Sequence, residues 1–235
     1  MKNGKQISMI RFVALVLLPL NCLAATATGS ASQADALLGS WLKAQARITS
    51  WSADFTQTRA LKSLAQPLTA TGHVWFVAPN QFRWELGHPA QTIAVRAPRE
   101  LLVIYPKLRR VERFPLGGEQ AGPWRDALQL LEAGFPRSQT ELEAQYEILN
   151  ENVKDDTCEI AMRPKSASAR KLMPRLTVLF GAKDFGLRGT ELQFADGSTM
   201  RNDFTNAILN PKIDAQLFSP ELPGDFKVVE PLKNN

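Results

Sequence analysis

The region from residue 51 to residue 95 contains segments that alternate apolar and polar side chains with a period of two. A period of two places alternate side chains on opposite faces of a β-sheet. The apolar positions of two of these segments are Trp51, Ala53, Phe55, Phe82, Trp84 and Leu86. The pattern predicts strands that share one apolar face, and that face has to be covered.

Short strands are predicted at regular intervals through most of the chain. They cover residues 51–59, 68–77, 82–86, 91–95, 101–105, 109–114, 146–149, 157–163, 175–180, 187–194 and 198–204. Turn sequences such as Ala78-Pro79-Asn80 and Asp196-Gly197 separate them, which is typical of an antiparallel meander. Gly72 weakens its strand and predicts a bend. The proline-rich tail, residues 217–226, predicts packing along a sheet edge.

Two helices are predicted. The first covers residues 33–46, because apolar residues recur there at spacings of three and four. Gln45 falls on this apolar stripe, which predicts that the buried face of the helix ends before it. The second covers residues 124–133, between a proline and a glycine. Its apolar stripe contains Trp124, Ala127, Leu128 and Leu131.

Residues 1–27 have the order of a cleaved secretory signal, with basic residues, an apolar core and then small residues. The cut is predicted between residues 24 and 31. A retained anchor is less favoured, because the apolar run is far shorter than the ~20 residues that span a bilayer. Lipidation at Cys22 is less favoured, because residues 19–21 lack the small side chains that it requires. Residues 28–235 then form a single domain with a substantial core.

Removal of the signal leaves a chain with little net charge. Three of its 28 Lys and Arg residues lie in residues 1–30, which hold none of its 23 Asp and Glu residues. Nucleic acid is therefore not an expected partner, since domains that bind it normally have a strong basic excess. Cys158 would be the one remaining cysteine, and its strand-like context favours a buried small side chain over a reactive thiol.

Sequence signatures of catalysis are missing. The two histidines, His73 and His88, form no HExxH pair or Cys/His ligand cluster, and the chain has no G-x-S-x-G, Walker or GxGxxG motif. His73 is opposite in phase to Val74, which favours a surface position or a hydrogen-bonded histidine. An enzyme is not expected.

Two explanations for the apolar face stay open. The helices could fill it as an ordinary core, which composition alone favours. They could instead lid a cavity whose mostly apolar walls would suit a hydrophobic ligand. Whether Trp75 or Phe76 belongs to this face is also open.

Four short segments resemble the LolA family of periplasmic outer-membrane lipoprotein carriers. They are residues 52–57, 72–85 and 101–105, and the Leu217-Phe218-Ser219-Pro220 tail with Pro223-Gly224. The resemblance implies a mainly β fold, an unclosed antiparallel β-barrel or strongly curved sheet whose concave hydrophobic face is lidded by helices. It also implies that acyl chains of lipoproteins occupy the hydrophobic cavity.

The resemblance implies site residues as well. Phe82 and Trp84 match the aromatic pair whose face lines the cavity, and the expected lining is Trp51, Phe55, Phe82, Trp84 and Leu86. The expected lid helix presents Trp124, Leu128 and Leu131. The family commonly has an arginine before the Pro-Asn of the turn that holds the lid, whereas this chain has Ala78. Arg83 is the candidate lid contact, although alternation places it on the opposite face.

The expected carrier is a monomer without cofactor or metal, in the periplasm of a Gram-negative bacterium. It would take acylated lipoprotein or another lipid cargo from an inner-membrane ABC-type releasing complex to an outer-membrane receptor lipoprotein. One alternative is a carrier of a different lipid, such as a glycolipid or a polyketide-derived polyene. Another is a periplasmic sensor or regulatory module of the same fold. That class typically adds a second domain, and the chain ends soon after Phe226.

Overall fold

The computed structural model describes residues 28–116, 136 and 138–231, with side chains from Asp35 onward. The strands of this part are β1 (Ser50–Ala60), β2 (Leu68–Val77), β3 (Gln81–Leu86), β4 (Thr92–Arg96), β5 (Glu100–Tyr105), β6 (Arg110–Pro115), β7 (Tyr146–Lys154), β8 (Thr157–Pro164), β9 (Arg175–Gly181), β10 (Leu187–Gln193), β11 (Thr199–Leu209) and β12 (Lys227–Val229).

All twelve strands belong to one sheet in the order β12-β6-β5-β4-β3-β2-β1-β11-β10-β9-β8-β7. Its two ends, β12 and β7, are not hydrogen-bonded to each other in the described part of the chain. Every neighbouring pair is antiparallel except β12 with β6, which is parallel. This confirms the prediction of an open antiparallel sheet. Register shifts between β1 and β11, β7 and β8, and β10 and β9 interrupt the regular pairing, with the extra residue on β11, β7 and β10. Such bulges bend a strand.

The helices are α1 (Thr28–Gln45), α2 (Gln139–Gln145) and α3 (Ala167–Leu172), with 3-10 turns at Pro106–Leu108 and Ala215–Phe218. The sequence predicted α1 to begin later and did not predict α2 or α3. Both missed helices have seven residues or fewer, too short to show an apolar stripe. Serine caps mark their starts, because the hydroxyls of Ser138 and Ser166 accept hydrogen bonds from backbone N–H groups of the first turn.

Two of the predicted strands continue further than expected. β7 was predicted to end at residue 149 and β11 at residue 204, and each runs five residues longer. Most side chains of these extensions are exposed. A strand end that is exposed on both faces does not need alternating apolar residues. The alternation in the sequence therefore ends before the backbone hydrogen bonding does.

One face of the sheet, here called the inner face, carries the main apolar cluster and packs against α1. Leu38, Trp41 and Leu42 of α1 are buried in it, and the Trp41 ring stacks on Phe180 with centroids 4.7 Å apart and planes 8° from parallel. Gln45 was expected to lie beyond the buried face of α1, and that prediction is wrong. Its side chain is 3% exposed, because its amide donates a hydrogen bond to the Phe185 carbonyl at 3.1 Å.

The opposite face, here called the outer face, has a smaller apolar cluster under the C-terminal tail. Leu102, Ile104 and Val111 form it, and Leu222 and Phe226 of the tail pack against it. The tail then adds β12 to the free edge of β6. This confirms the prediction that the tail packs along an edge, and the segment from residue 215 to residue 229 is called the strap below.

No helix of the described residues is long and apolar enough to cross a membrane.

Replacement of Trp41 by alanine should lower the free energy of unfolding by about 3–5 kcal/mol, because it removes a fully buried ring and leaves a cavity against Phe180. Trp41→Phe is the matched control. It keeps an aromatic ring on Phe180, and the indole N–H of Trp41 has no hydrogen-bond partner to lose among the described residues. Urea unfolding would measure both, and equal losses would contradict the importance of the stack.

Candidate functional site

The five residues expected to line a cavity all lie on the inner face. Trp51 and Phe55 come from β1, and Phe82, Trp84 and Leu86 come from β3. Trp51, Phe55 and Phe82 are buried, whereas Trp84 and Leu86 keep part of their surface exposed. All five belong to the main apolar cluster or pack against it.

Four aromatic rings from three strands contact one another on this face and are called the aromatic wall. Phe55 and Trp84 have ring centroids 4.1 Å apart, and Trp84 lies edge-on to Phe204 at 6.1 Å. Trp51 meets the other side of Phe204 edge-on at 5.1 Å. Tilted and edge-to-face arrangements are the favourable ones for aromatic pairs, so the wall is a packed surface of rings and not a chance grouping.

Phe204 was not predicted as a site residue. It stands on β11, where period two brings Met200, Asn202 and Phe204 to the inner face, and the polar Asn202 interrupts an otherwise apolar set. The period itself was the signal that could have found it. Phe76 also belongs to the main cluster, so Phe76, and not Trp75, lies on the inner face.

Asn202 is tolerated on the inner face because it belongs to a short polar ladder. The Gln57 amide donates to the Asn202 side-chain oxygen at 3.0 Å, and the Asn202 amide donates to the Thr190 hydroxyl at 3.2 Å. Gln57 is 6% exposed and Asn202 is 2% exposed. Burial of a polar group is costly unless the group is hydrogen-bonded. This ladder fixes the register of β1, β11 and β10 next to the aromatic wall.

Gly72 makes room for the Phe55 ring. It pairs with Phe55 across β1 and β2, and a Cβ atom at this position would lie 2.3 Å from the end of the Phe55 ring and 2.1 Å from the Glu85 carbonyl oxygen. Only glycine allows so close an approach. The bend that the sequence predicted at Gly72 stays a prediction, because β2 pairs regularly with β1 and β3 at this position. The structure shows instead that the missing side chain leaves room for the Phe55 ring.

The arginines of β3 and β4 lie on opposite faces. Arg83 faces outward, where its guanidinium donates to Glu85 at 2.6 Å and to the Leu217 carbonyl of the strap at 3.1 Å. Arg96 alternates onto the inner face, where it pairs with Phe82 of β3 and Leu101 of β5. Burial lowers the pKa of the Arg96 guanidinium. Ala78, at the position where the resemblance leads one to expect an arginine, packs against the main cluster.

The expected lid residues Trp124, Leu128 and Leu131 lie outside the described residues.

His73 and Cys158 could in principle act as an acid–base group and a nucleophile, but each has an ordinary structural environment. His73 faces outward, with its Nδ1 atom 2.7 Å from Asp54 and its ring 4.2 Å from that of Trp75. The hydrogen bonds from Asn206 and His73 lower the pKa of Asp54. Cys158 is fully buried in the main cluster, and burial raises its pKa to about 11. A thiol with such a pKa is a poor nucleophile. In the described residues no three His, Cys, Asp or Glu side chains are grouped to hold a metal.

The Gly72→Ala variant should lose about 1–3 kcal/mol of stability, because the new methyl group overlaps the Phe55 ring and a strand carbonyl that cannot move freely. Gly39→Ala in α1 is the control, since its Cβ would meet nothing within 4 Å and alanine is the better helix former. Thermal unfolding, followed by near-ultraviolet circular dichroism of the aromatic wall, would report both. Equal stability of the two variants would show that the Phe55 ring does not depend on the missing side chain at position 72.

The chain is similar to several known proteins. The family described as "Outer membrane lipoprotein carrier protein LolA" matches residues 46–221. The outer-membrane lipoprotein carrier protein of Chromohalobacter salexigens is 29% identical over 217 residues, which are 92% of this chain and 93% of that protein.

Two solved structures also align. An uncharacterized conserved protein of Thermus thermophilus has TM-score 0.48 and 12% identity, covering 84% of this chain and 98% of its own. A LolA superfamily protein of Nitrosomonas europaea has TM-score 0.39 and 10% identity, covering 77% and 96%. The family match spans most of the chain, which therefore belongs to the LolA family of outer-membrane lipoprotein carriers.

Proposed function

We propose that this protein is a periplasmic carrier that binds the acyl chains of a lipoprotein against the inner face of its sheet. The aromatic wall carries the proposal. Trp84 and Phe204 of the wall, with the neighbouring Leu86, keep part of their surface exposed, whereas Trp51 and Phe55 beneath them are buried. The inner face thus has apolar surface that remains accessible to a ligand. The buried rings of Trp51 and Phe55 support this surface from below.

An acyl chain would gain about 0.8 kcal/mol for each CH₂ group that such a surface removes from water. A carrier also has to release its cargo, so the chain must not be enclosed in a rigid core. An unclosed sheet meets both needs, because its edges are not tied to each other and the covering element is a separate segment. In this proposal the protein is a binding protein and not an enzyme.

The route of transport is part of the proposal. The relative from Chromohalobacter salexigens is named an outer-membrane lipoprotein carrier, which supports a periplasmic location and a lipoprotein cargo here as well. Residues 1–27 would direct export and be removed. An inner-membrane ABC-type complex would load the carrier, and a receptor lipoprotein at the outer membrane would unload it.

A second candidate is a carrier of the same fold for another amphiphile, such as a glycolipid. The alanine at position 78 favours it, because the resemblance leads one to expect an arginine there. Identification of the lipid that co-purifies with periplasmic protein, by native mass spectrometry and organic extraction, would separate the two candidates. A bound triacylated lipoprotein supports the first, and a free glycolipid supports the second.

Acyl-chain binding should depend on Trp84 and not on Trp75. These two tryptophans stand on the neighbouring strands β3 and β2, both half-buried, but on opposite faces of the sheet. Trp84→Ala should weaken the binding of a fluorescent fatty acid by roughly tenfold, which corresponds to ~1.4 kcal/mol. Trp75→Ala should leave the affinity unchanged.

Fluorescence titration of both variants, delipidated and checked for equal thermal stability, makes the comparison independent of folding. Equal affinities of Trp84→Ala and the unchanged protein would place the acyl chain away from the aromatic wall. Equal losses in the two variants would mean that neither face is specific.

We also propose that a helix over residues 124–133 covers the inner face as a lid and that Arg96, and not Arg83, contacts it. Arg83 is held on the outer face by Glu85 and the strap. Arg96 lies on the inner face beside Phe82, where a covering element would pass. A guanidinium is more weakly hydrated than an ammonium group and sits on a long apolar stem, so it can enter such a contact and return to water on release.

Arg96→Met should raise the dissociation rate of bound fluorescent fatty acid, because it removes a polar contact that holds the lid while it keeps an apolar stem. Arg83→Met is the matched control on the neighbouring strand and should change thermal stability through the strap without changing that rate. Stopped-flow dissociation into lipid vesicles would measure both. A faster rate in Arg83→Met alone would restore Arg83 as the lid contact.

A further inference from the structure

One end of the sheet combines three segments that the chain brings together from distant positions. They are the loop between β1 and β2, helix α3 and the hairpin between β10 and β11. The Lys62 backbone N–H donates to the Ser198 hydroxyl at 3.2 Å, and the Ala195 N–H donates to the Leu172 carbonyl at 3.0 Å. The hairpin therefore holds the loop on one side and α3 on the other, and the three form one continuous surface, called the end surface below.

A cleft of about 420 Å³ opens in the end surface. Its apolar lining includes Leu61, Leu172, Phe194 and Met200. Phe194 and Met200 also pack against the main apolar cluster, so the floor of the cleft is continuous with the interior. The carrier function of the aromatic wall does not require this cleft.

Three leucines at this end of the sheet are exposed to solvent: Leu64 in the β1–β2 loop, Leu68 at the start of β2 and Leu172 at the end of α3. Leu64 is 46% exposed, Leu68 is 50% exposed and Leu172 is 54% exposed. A single exposed leucine is ordinary, but an apolar patch rimmed by polar residues marks a surface that contacts a partner or a membrane.

The charged side chains beside these leucines are mostly basic. Arg59, Lys62, Arg170 and Lys171 are exposed here, and none of them forms an ion pair within the part of the chain that the structure describes. Asp196 is the acidic residue among those that line the cleft. Its carboxylate accepts hydrogen bonds from the backbone N–H and hydroxyl of Ser198, which lower its pKa.

We propose that the end surface docks the protein on an anionic phospholipid bilayer. Exposed leucines beside Lys and Arg are the composition that binds a membrane interface, where the apolar side chains enter the headgroup region and the cations meet lipid phosphates. An acidic protein would match the basic charges but would not need exposed leucines at this end of the sheet. The surface lies at the edge of the core, so docking would bring the interior of the carrier next to the bilayer.

The test is co-sedimentation of periplasmically purified protein with vesicles of equimolar phosphatidylglycerol and phosphatidylcholine, compared with vesicles of phosphatidylcholine alone. Binding to the anionic vesicles is expected, and it should weaken as salt is raised because the contact is screened. Arg59→Gln combined with Lys171→Gln should lower the partition coefficient by about tenfold or more, since each basic residue near the surface contributes about fivefold.

Leu64→Ser with Leu172→Ser should also reduce binding, and it tests the apolar half of the contact. Leu209→Ser with Lys212→Gln is the control, because it removes an exposed leucine and an exposed lysine that lie away from the end surface. All of these side chains are exposed, so the variants should unfold at the same temperature as the unchanged protein.

Binding that is lost in the first two variants and kept in the control supports the bilayer. Absence of binding to anionic vesicles, or equal loss in the control, overturns it and leaves an acidic protein partner as the occupant. Neither result bears on acyl binding at the aromatic wall, which is measured without a bilayer.

Discussion

Burial of the inner apolar face is the constraint on which the rest of the structure depends. A sheet that does not close has no second layer of its own, so its apolar side chains must be covered by helices or by a ligand. Helix α1 covers the part around Phe180, where Trp41 stacks and Gln45 is hydrogen-bonded to the Phe185 carbonyl. Around Trp84 and Phe204 the described residues leave the cover incomplete. The cover of this face is therefore complete around Phe180 and partial around Trp84 and Phe204.

The two faces of the sheet are covered by different elements, the inner face by α1 and the outer face by the strap. On the outer face the strap covers a small apolar cluster and occupies the edge of β6, and Arg83 helps to hold it. Free strand edges invite pairing with other chains, so the strap protects one edge at the same time.

The polar ladder and the close approach of Phe55 to Gly72 hold the aromatic wall in place. Gln57, Asn202 and Thr190 are hydrogen-bonded across three strands and cannot slide by one residue without losing these bonds. Gly72 admits the Phe55 ring at a distance that any side chain would block. The aromatic wall is thus positioned by the sheet itself and does not need a ligand or lid to form.

The sequence by itself determined which residues share a face. Period two along β1 and β3 was sufficient to bring Trp51, Phe55, Phe82, Trp84 and Leu86 together, because alternation is a local property of the strand. Period two also assigns Phe204 to the inner face, but only the tertiary structure decided that its ring contacts Trp51 and Trp84, how far β7 and β11 extend and that Gln45 is buried. Each of these depends on a partner distant in the chain, whether a carbonyl, a strand or a ring, and no local pattern records such a partner. The loop after β1, helix α3 and the β10–β11 hairpin likewise meet only because the sheet order places their ends side by side.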